Sequence, residues 1–258
     1  FSSNNLHTDF KISSSGETIF LRNNSGDLVD SVNFDYLQSD VSIGVSNDSD
    51  NLVYFEIPTP NEENDTDQSI GIVSSTVQFS NSGGAVSDSD LTLTLTGTED
   101  GEYIRYSVDS SEPDYTSNFY SNPIEINSNT IVRAKIFKNN YISGYSNSRS
   151  YLFEINHDIP FVSIVSDPYN LFDNDYGIYE IGDNAESGFP YFGANFWEDW
   201  ERPAHFSFYN SEGNLETEFN AGIKIFGAYS RGNPQKSFAF FARGRYGISK
   251  FDYPFFPE

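Results

Sequence analysis

The chain is 258 residues long, room for one large domain or roughly two to three small ones, and carries 38 acidic against 14 basic side chains, a formal net charge of −24. That balance argues against nucleic acid as a partner, because phosphate binding needs a basic face. The absence of Cys excludes disulfides and thiolate metal sites, and no window reaches the apolar length of a membrane-spanning helix.

The first block reads HTDFKISSSGETIFLRNNSGDLVDSVNF. FKIS, ETIFLR and LVDSVNF are strand-like runs, and SSSG and NNSG between them are turn chemistry, so tight hairpins follow. LVYFEIPTPNEEN closes the block, since Pro58 and Pro60 lack the ladder donor. The stretch after it, residues 61–75, reads as an acidic linker. Its carboxylates Glu62, Glu63, Asp65 and Asp67 are either solvated or ligands for Ca²⁺. Proteolysis is expected first between Pro58 and Gln68.

The second block spans residues 76–155. LTLTLTG, from Leu91 to Gly97, alternates strictly and predicts a half-buried strand. EYIRYSVDSSEPDYTSNFYSNPIEINSNTIVRAKIF adds three strands with Pro, Asn and Ser at the turns. Asp109 reads as a cap on its own backbone rather than a catalytic acid. Exposed Tyr on this block would suit sugar stacking; a purely structural spacer is the alternative.

The third block covers residues 156–258. PFVSIVS is a β-branched strand, and SDPYNLFDNDYGIY sets Asp173 and Asp175 beside Gly177 without the calcium-loop register. Two strands are expected around the Ser211–Asn214 turn, another at Ala221–Tyr229, and a last one in QKSFAFFAR. Trp197 and Trp200, three apart, are expected on one side of a helical turn, packed in the core. Ser187–Asn195 reads as a second protease-sensitive segment. Glu180, Asp183 and Glu186 are the acids that could approach a site, without an assigned role.

Charge is uneven along the chain. Residues 1–100 hold 17 acids and two bases, whereas residues 201–258 hold six acids and seven bases. From Ala221 to Lys250 there is no acid, while Lys224, Arg231, Lys236, Arg243, Arg245 and Lys250 are present. A hairpin turn does not need Arg231 and Lys236. Lys236 shares a strand face with Phe238 and Phe240. Its ammonium therefore either snorkels at an edge or enters a cleft, as when a strand Lys holds nucleotide phosphates.

Three resemblances organise these blocks. SSSGETIFL, SGDLVDSVNF, DVSIGV and NLVYFEIPTPNEEN resemble the C-terminal part of a lamin-tail domain, over residues 6–64 within a module taken as 1–60. Tyr106, Asp109, Ser111, Pro113, Tyr120, Pro123, Ile124, Ile126 and Ala134 resemble the small sandwich at the C-terminus of chitobiases. SIVSDPYNLFDNDYGIYEIG, NFWEDWERPAHFSFYNSEG, NAGIKIFGAYSRGNPQKSFAFFARGRYG and FDYPFFPE resemble the start of a CotH-type atypical kinase, some members of which phosphorylate spore-coat proteins. By that last resemblance Lys236 is the phosphate-contacting Lys and Arg231 lies nearby, with Gln235 and Lys224 in place of two basic residues of the family motif. The catalytic and metal-binding carboxylates are expected beyond residue 258.

The expected fold is mainly β: two small immunoglobulin-like β-sandwich modules, then a β-rich (α+β) partial kinase-like lobe. The expected function is a middle segment of an exported, bacterial, multidomain CotH-like protein at the cell surface. By the CotH resemblance its phosphotransferase lobe is expected to use ATP with Mg²⁺ or Mn²⁺, only together with downstream residues, and to act on a surface protein; Ca²⁺ is a separate candidate metal. A non-catalytic adhesin or scaffold, or a glycan-binding accessory chain, are the alternatives.

Overall fold

The computed structural model describes residues 10–60, 62–155 and 158–255. The opening of the lamin-tail-like block, Asn61 of the acidic stretch, Asn156 and His157 at the start of the third block, and the last three residues lie outside the described residues. The fold is mainly β, built of small sheets, with one five-residue helix and no long helix among the described residues. It divides into two compact units, Phe1–Ile72 with Asn140–Ile142, and Val73–Asn139 with Ser143–Glu258.

The first unit opens with a hairpin of β1 (Glu17–Arg22) and β2 (Leu28–Phe34). Its turn is set by Asn23, whose side-chain oxygen accepts from Ser25 and Asp27 N–H, and by Gly26 at φ +88°. FKIS does not form a strand, and Phe10 and Ile12 are exposed there. A three-stranded sheet follows: β3 (Ser42–Val45), β4 (Leu52–Phe55) and β5 (Gln68–Ser69). Phe55 and Val53 are buried beneath it. The acidic stretch therefore contributes a strand, and β6 (Gly71–Ile72) pairs in parallel with Tyr141–Ile142.

In the second unit β7 (Gln78–Phe79), β8 (Gly84–Val86), β9 (Leu91–Leu93) and β10 (Leu95–Thr96) precede β11 (Glu102–Ser107). LTLTLTG is split at Thr94: its first half pairs with Ile124–Ile126, its second with β7. The alternation survives the split, with Leu93 and Leu95 buried. After β12 (Asn118–Phe119) and β13 (Ile124–Ile126) come β14 (Thr130–Lys138) and β16 (Asn147–Phe153), while β15 (Tyr141–Ile142) between them belongs to the first unit. The main sheet runs β12-β11-β14-β16-β8. Asp109 caps its turn as expected, accepting from Ser111 N–H and Oγ.

The third block contributes a four-stranded antiparallel sheet of β17 (Phe161–Val165), β18 (Arg202–Tyr209), β19 (Leu215–Phe226) and β20 (Ser237–Phe241). The separate strand expected at Ala221–Tyr229 is instead the second half of β19, because no turn residue interrupts the ladder before Gly227. Helix α1 (Pro168–Phe172) is capped by Asp167 and follows β17. Both faces of this sheet are covered, each by its own set of side chains. On one face Ala204, Ala221, Ile223 and Ile225 pack with Ile178, Ala194 and Phe196 from the long β17–β18 connection. Trp197 and Trp200 join that cluster half-buried. The turn is not helical through both, since a 3-10 turn ends at Trp197.

The other face is polar. Ser163 bonds Ser150 of β16 at 2.6 Å. Arg149 of β16 grips Glu218 of β19 through both amino groups. His205 lies between Glu218, at 3.3 Å from Nε2, and Asn220, at 2.8 Å from Nδ1. Asn220 in turn donates to the Ser146 carbonyl at 3.2 Å. A buried polar layer of this kind holds only if each member has a partner.

Candidate functional site

The connection from β19 to β20 answers the charge puzzle. Gly227, at φ +124°, takes a backbone conformation that L side chains rarely adopt and lets the chain leave β19. A 3-10 turn over Tyr229–Gly232 follows, and Asn233 and Pro234 lead back into β20. Arg231 stays inside this connection. Its Nε donates to the Gly227 carbonyl at 2.8 Å, and its Nη1 to the carbonyls of Phe196 and Trp197 at 3.3 Å each. It braces the turn against the preceding loop.

Lys236 sits at the foot of β20. Its ammonium donates to the carbonyls of Arg231 at 2.7 Å and Asn233 at 3.0 Å, and lies 3.8 Å from the Phe196 ring centroid. The backbone N–H of Lys236 donates to the Tyr179 hydroxyl, which itself donates to the Pro234 carbonyl. Burial pulls the ammonium below the ordinary Lys range, and the Glu180 carboxylate acts in the opposite direction. An ammonium has three protons, so one remains beyond the two carbonyl bonds.

A cavity of about 450 Å³ opens at this point, walled by Tyr179, Glu180, Phe189, Tyr191, Phe196 and Lys236. Flat aromatic walls with one cation and one carboxylate have the chemistry that suits a planar, partly charged ligand. The donor set fits a nucleotide phosphate in part: Lys236 faces the cavity, whereas Arg231 does not line it. Among the described residues no group of three or more His, Asp or Glu side chains could hold a metal ion.

The remaining cations of the acid-free window are paired. Arg243 and Arg245 both bind Glu201, at 2.9 and 2.5 Å, and the Tyr246 hydroxyl donates to it at 2.9 Å. Burial pushes the Glu201 carboxyl up, but those three donors outweigh it and hold the group at about 2. Lys224 pairs with Asp199 at 2.7 Å, and Lys250 with Asp252 at 3.3 Å. Asp199 and Glu201 come from the segment around Trp200, far upstream of the cations they hold. Sequence reasoning missed Glu201 and the aromatic pair Tyr179 and Phe196; nothing local in the chain marks them.

Several other acids have local duties. Asp173 accepts from Asp175 and Tyr176 N–H, and Asp183 accepts from Asn174. Asp167 caps α1 and accepts from Glu112 N–H at 2.7 Å. Glu112 also binds Arg133 and, at 3.3 Å, Lys135.

Residues 81–148 match the family model of the chitobiase/beta-hexosaminidase C-terminal domain. The match covers the main sheet of the second unit from β8 to the start of β16, in agreement with the β-sandwich expected there. No curated protein matches the chain, and no solved structure matches it. No helix among the described residues is long and apolar enough to cross a membrane.

Proposed function

We propose that the chain is a segment of an exported multidomain CotH-like protein, with part of a lamin-tail domain at its start. Its cell-surface phosphotransferase lobe receives the nucleotide in the cavity beside Lys236. The observation that carries this reading is the placement of an ammonium, short of one hydrogen-bond partner, in an aromatic-walled cleft. Tyr179, Tyr191 and Phe196 suit the base, and Lys236 suits a phosphate oxygen. ATP is the expected cofactor, with Mg²⁺ or Mn²⁺ only together with downstream residues, and a surface protein is the expected phosphoacceptor.

A charge-assisted contact contributes about 1.5–3 kcal/mol, and millimolar affinity already needs about 4 kcal/mol. Residues 1–258 alone are therefore expected to bind ATP weakly at best and to show no turnover. In the full-length protein with Mg²⁺ or Mn²⁺, Lys236→Ala is expected to cut phosphate transfer at least about tenfold, since each ~1.4 kcal/mol is a decade. Undiminished transfer in the variant, or none in the parent, sinks the nucleotide reading.

A second reading, a non-catalytic scaffold or adhesin, is favoured by a specific observation. Arg231 spends its described hydrogen bonds on loop carbonyls and Lys236 spends two of its three. If Lys236→Ala unfolds the lobe, the scaffold reading stands.

A further inference from the structure

The main sheet of the second unit carries a row of rings on its outer face. Tyr103 and Arg105 point the same way on β11, while Ile104 and Tyr106 point to the opposite face, where Ile104 is buried. Register sets Tyr103 beside Phe137 of β14 and Arg105 beside Phe119 of β12. Ring centroids lie 5.9 Å apart for Phe119–Tyr103, 6.1 Å for Tyr103–Phe137 and 4.9 Å for Phe137–Tyr115. Phe137 is buried and forms the floor, but Phe119 is 56% exposed and Tyr115 58%. Arg105 stacks over both Tyr103 and Phe119 at 5.8 and 5.9 Å, and its Nη1 is tied to the Ser117 carbonyl. It makes no ion pair among the described residues, in a chain with 38 acids. A shallow hollow of about 210 Å³ adjoins Tyr103 and Phe119.

We propose that this ring row is a stacking platform for a neutral polysaccharide of pyranose sugars. The electron-rich ring faces meet the apolar C–H faces of the sugars. Arg105 and the Tyr103 hydroxyl supply donors and an acceptor for sugar hydroxyls at the edge. A chain of net charge −24 repels extended polyanions, so nucleic acid and acidic glycans are disfavoured. A stable protein partner needs roughly 800 Å² per side, more than a few ring faces supply, whereas a polymer of repeating flat faces matches a row. The platform lies apart from the Lys236 cavity and is independent of the nucleotide reading; it gives a place to the exposed-Tyr expectation of the sequence.

Affinity electrophoresis in gels containing hydroxyethyl cellulose, soluble chitin oligomers or polygalacturonate tests it. The intact chain is expected to be retarded by one of the neutral polymers and not by polygalacturonate. Phe119→Ala is expected to weaken that binding at least tenfold, Phe119→Tyr to keep most of it, and Arg105→Gln to weaken it severalfold. Circular dichroism checks that each variant folds. Equal retardation of parent and Phe119→Ala, binding to the acidic polymer alone, or no binding to any polymer overturns the proposal.

Discussion

Glu201 shows how one residue decides the meaning of a charge run. Its side chain is 6% exposed and holds two guanidiniums and a phenol. The two guanidiniums are nearly half exposed, so solvent screens them and Glu201→Gln is expected to cost only about 1–2 kcal/mol. The pH sign follows from the depressed carboxyl. Its folded value of about 2 lies below the ordinary 4.5, so its contribution is complete above about 4.5 and fades as pH falls toward 2. Urea denaturation of parent and variant across pH 2–7 should show a stability gap that is constant near neutrality and closes in acid. A gap independent of pH would mean the carboxylate is not what stabilises this corner. The acid-free window looks like a binding surface in the sequence because the partners of Arg243 and Arg245 lie some forty residues upstream, on a segment no local pattern ties to it.

Among the elements, Arg149 of β16 and Glu218 of β19 form one of the contacts between the chitobiase-like sheet and the four-stranded sheet, which belong to one compact unit. Glu218 is the node, held by Arg149 and by His205, which is only 3% exposed. Burial raises the Glu218 carboxyl, but the His205 hydrogen bond and the nearby Arg149 charge prevail and lower it. Both members of the Arg149–Glu218 pair are half-buried, so solvent offsets part of the loss and Glu218→Gln is expected to cost about 1–3 kcal/mol. Both sheets should lose stability together in that variant, read by hydrogen exchange of β16 and β19 amides. Loss confined to β19 would show that the polar layer is not what joins them. Individual strands of these sheets are legible from alternation and turn residues, as for β17, β20 and the Ser211–Asn214 turn. The pairing is not. LTLTLTG reads as one strand because alternation reports which side chains face inward, and it is silent about which neighbour each half joins.

Over the whole molecule, the acidic stretch near Pro58 remains the expected point of attack. Its described residues from Ile57 to Asp67 are outside strands and mostly exposed. Ser187–Asn195 is different: Glu186 N–H bonds the Phe192 carbonyl, Trp197 Nε1 bonds the Pro190 carbonyl, and Ala194 and Asn195 are buried. Limited proteolysis read by mass spectrometry should therefore cut within residues 57–68 well before 187–195, since cleavage needs local opening. First cleavage in the second segment would contradict that order.

Composition and local pattern by themselves determined that this is a β-rich chain with aromatic cores and Asn/Gly turns, because hydrogen-bonded turns and side-chain alternation act over a few residues. They also marked the β8-to-β16 region well enough for its family resemblance to be read and matched. Tertiary structure alone decided which cations keep free hydrogen-bonding capacity. Arg243, Arg245 and Lys224 are neutralised by acids brought in through sheet register. Arg231 is spent on its own turn, and Lys236 is left beside an aromatic cleft. The reason is physical: a charge acts on whatever folding places within a few ångströms of it, and that distance is set by long-range strand pairing rather than by neighbours in the chain.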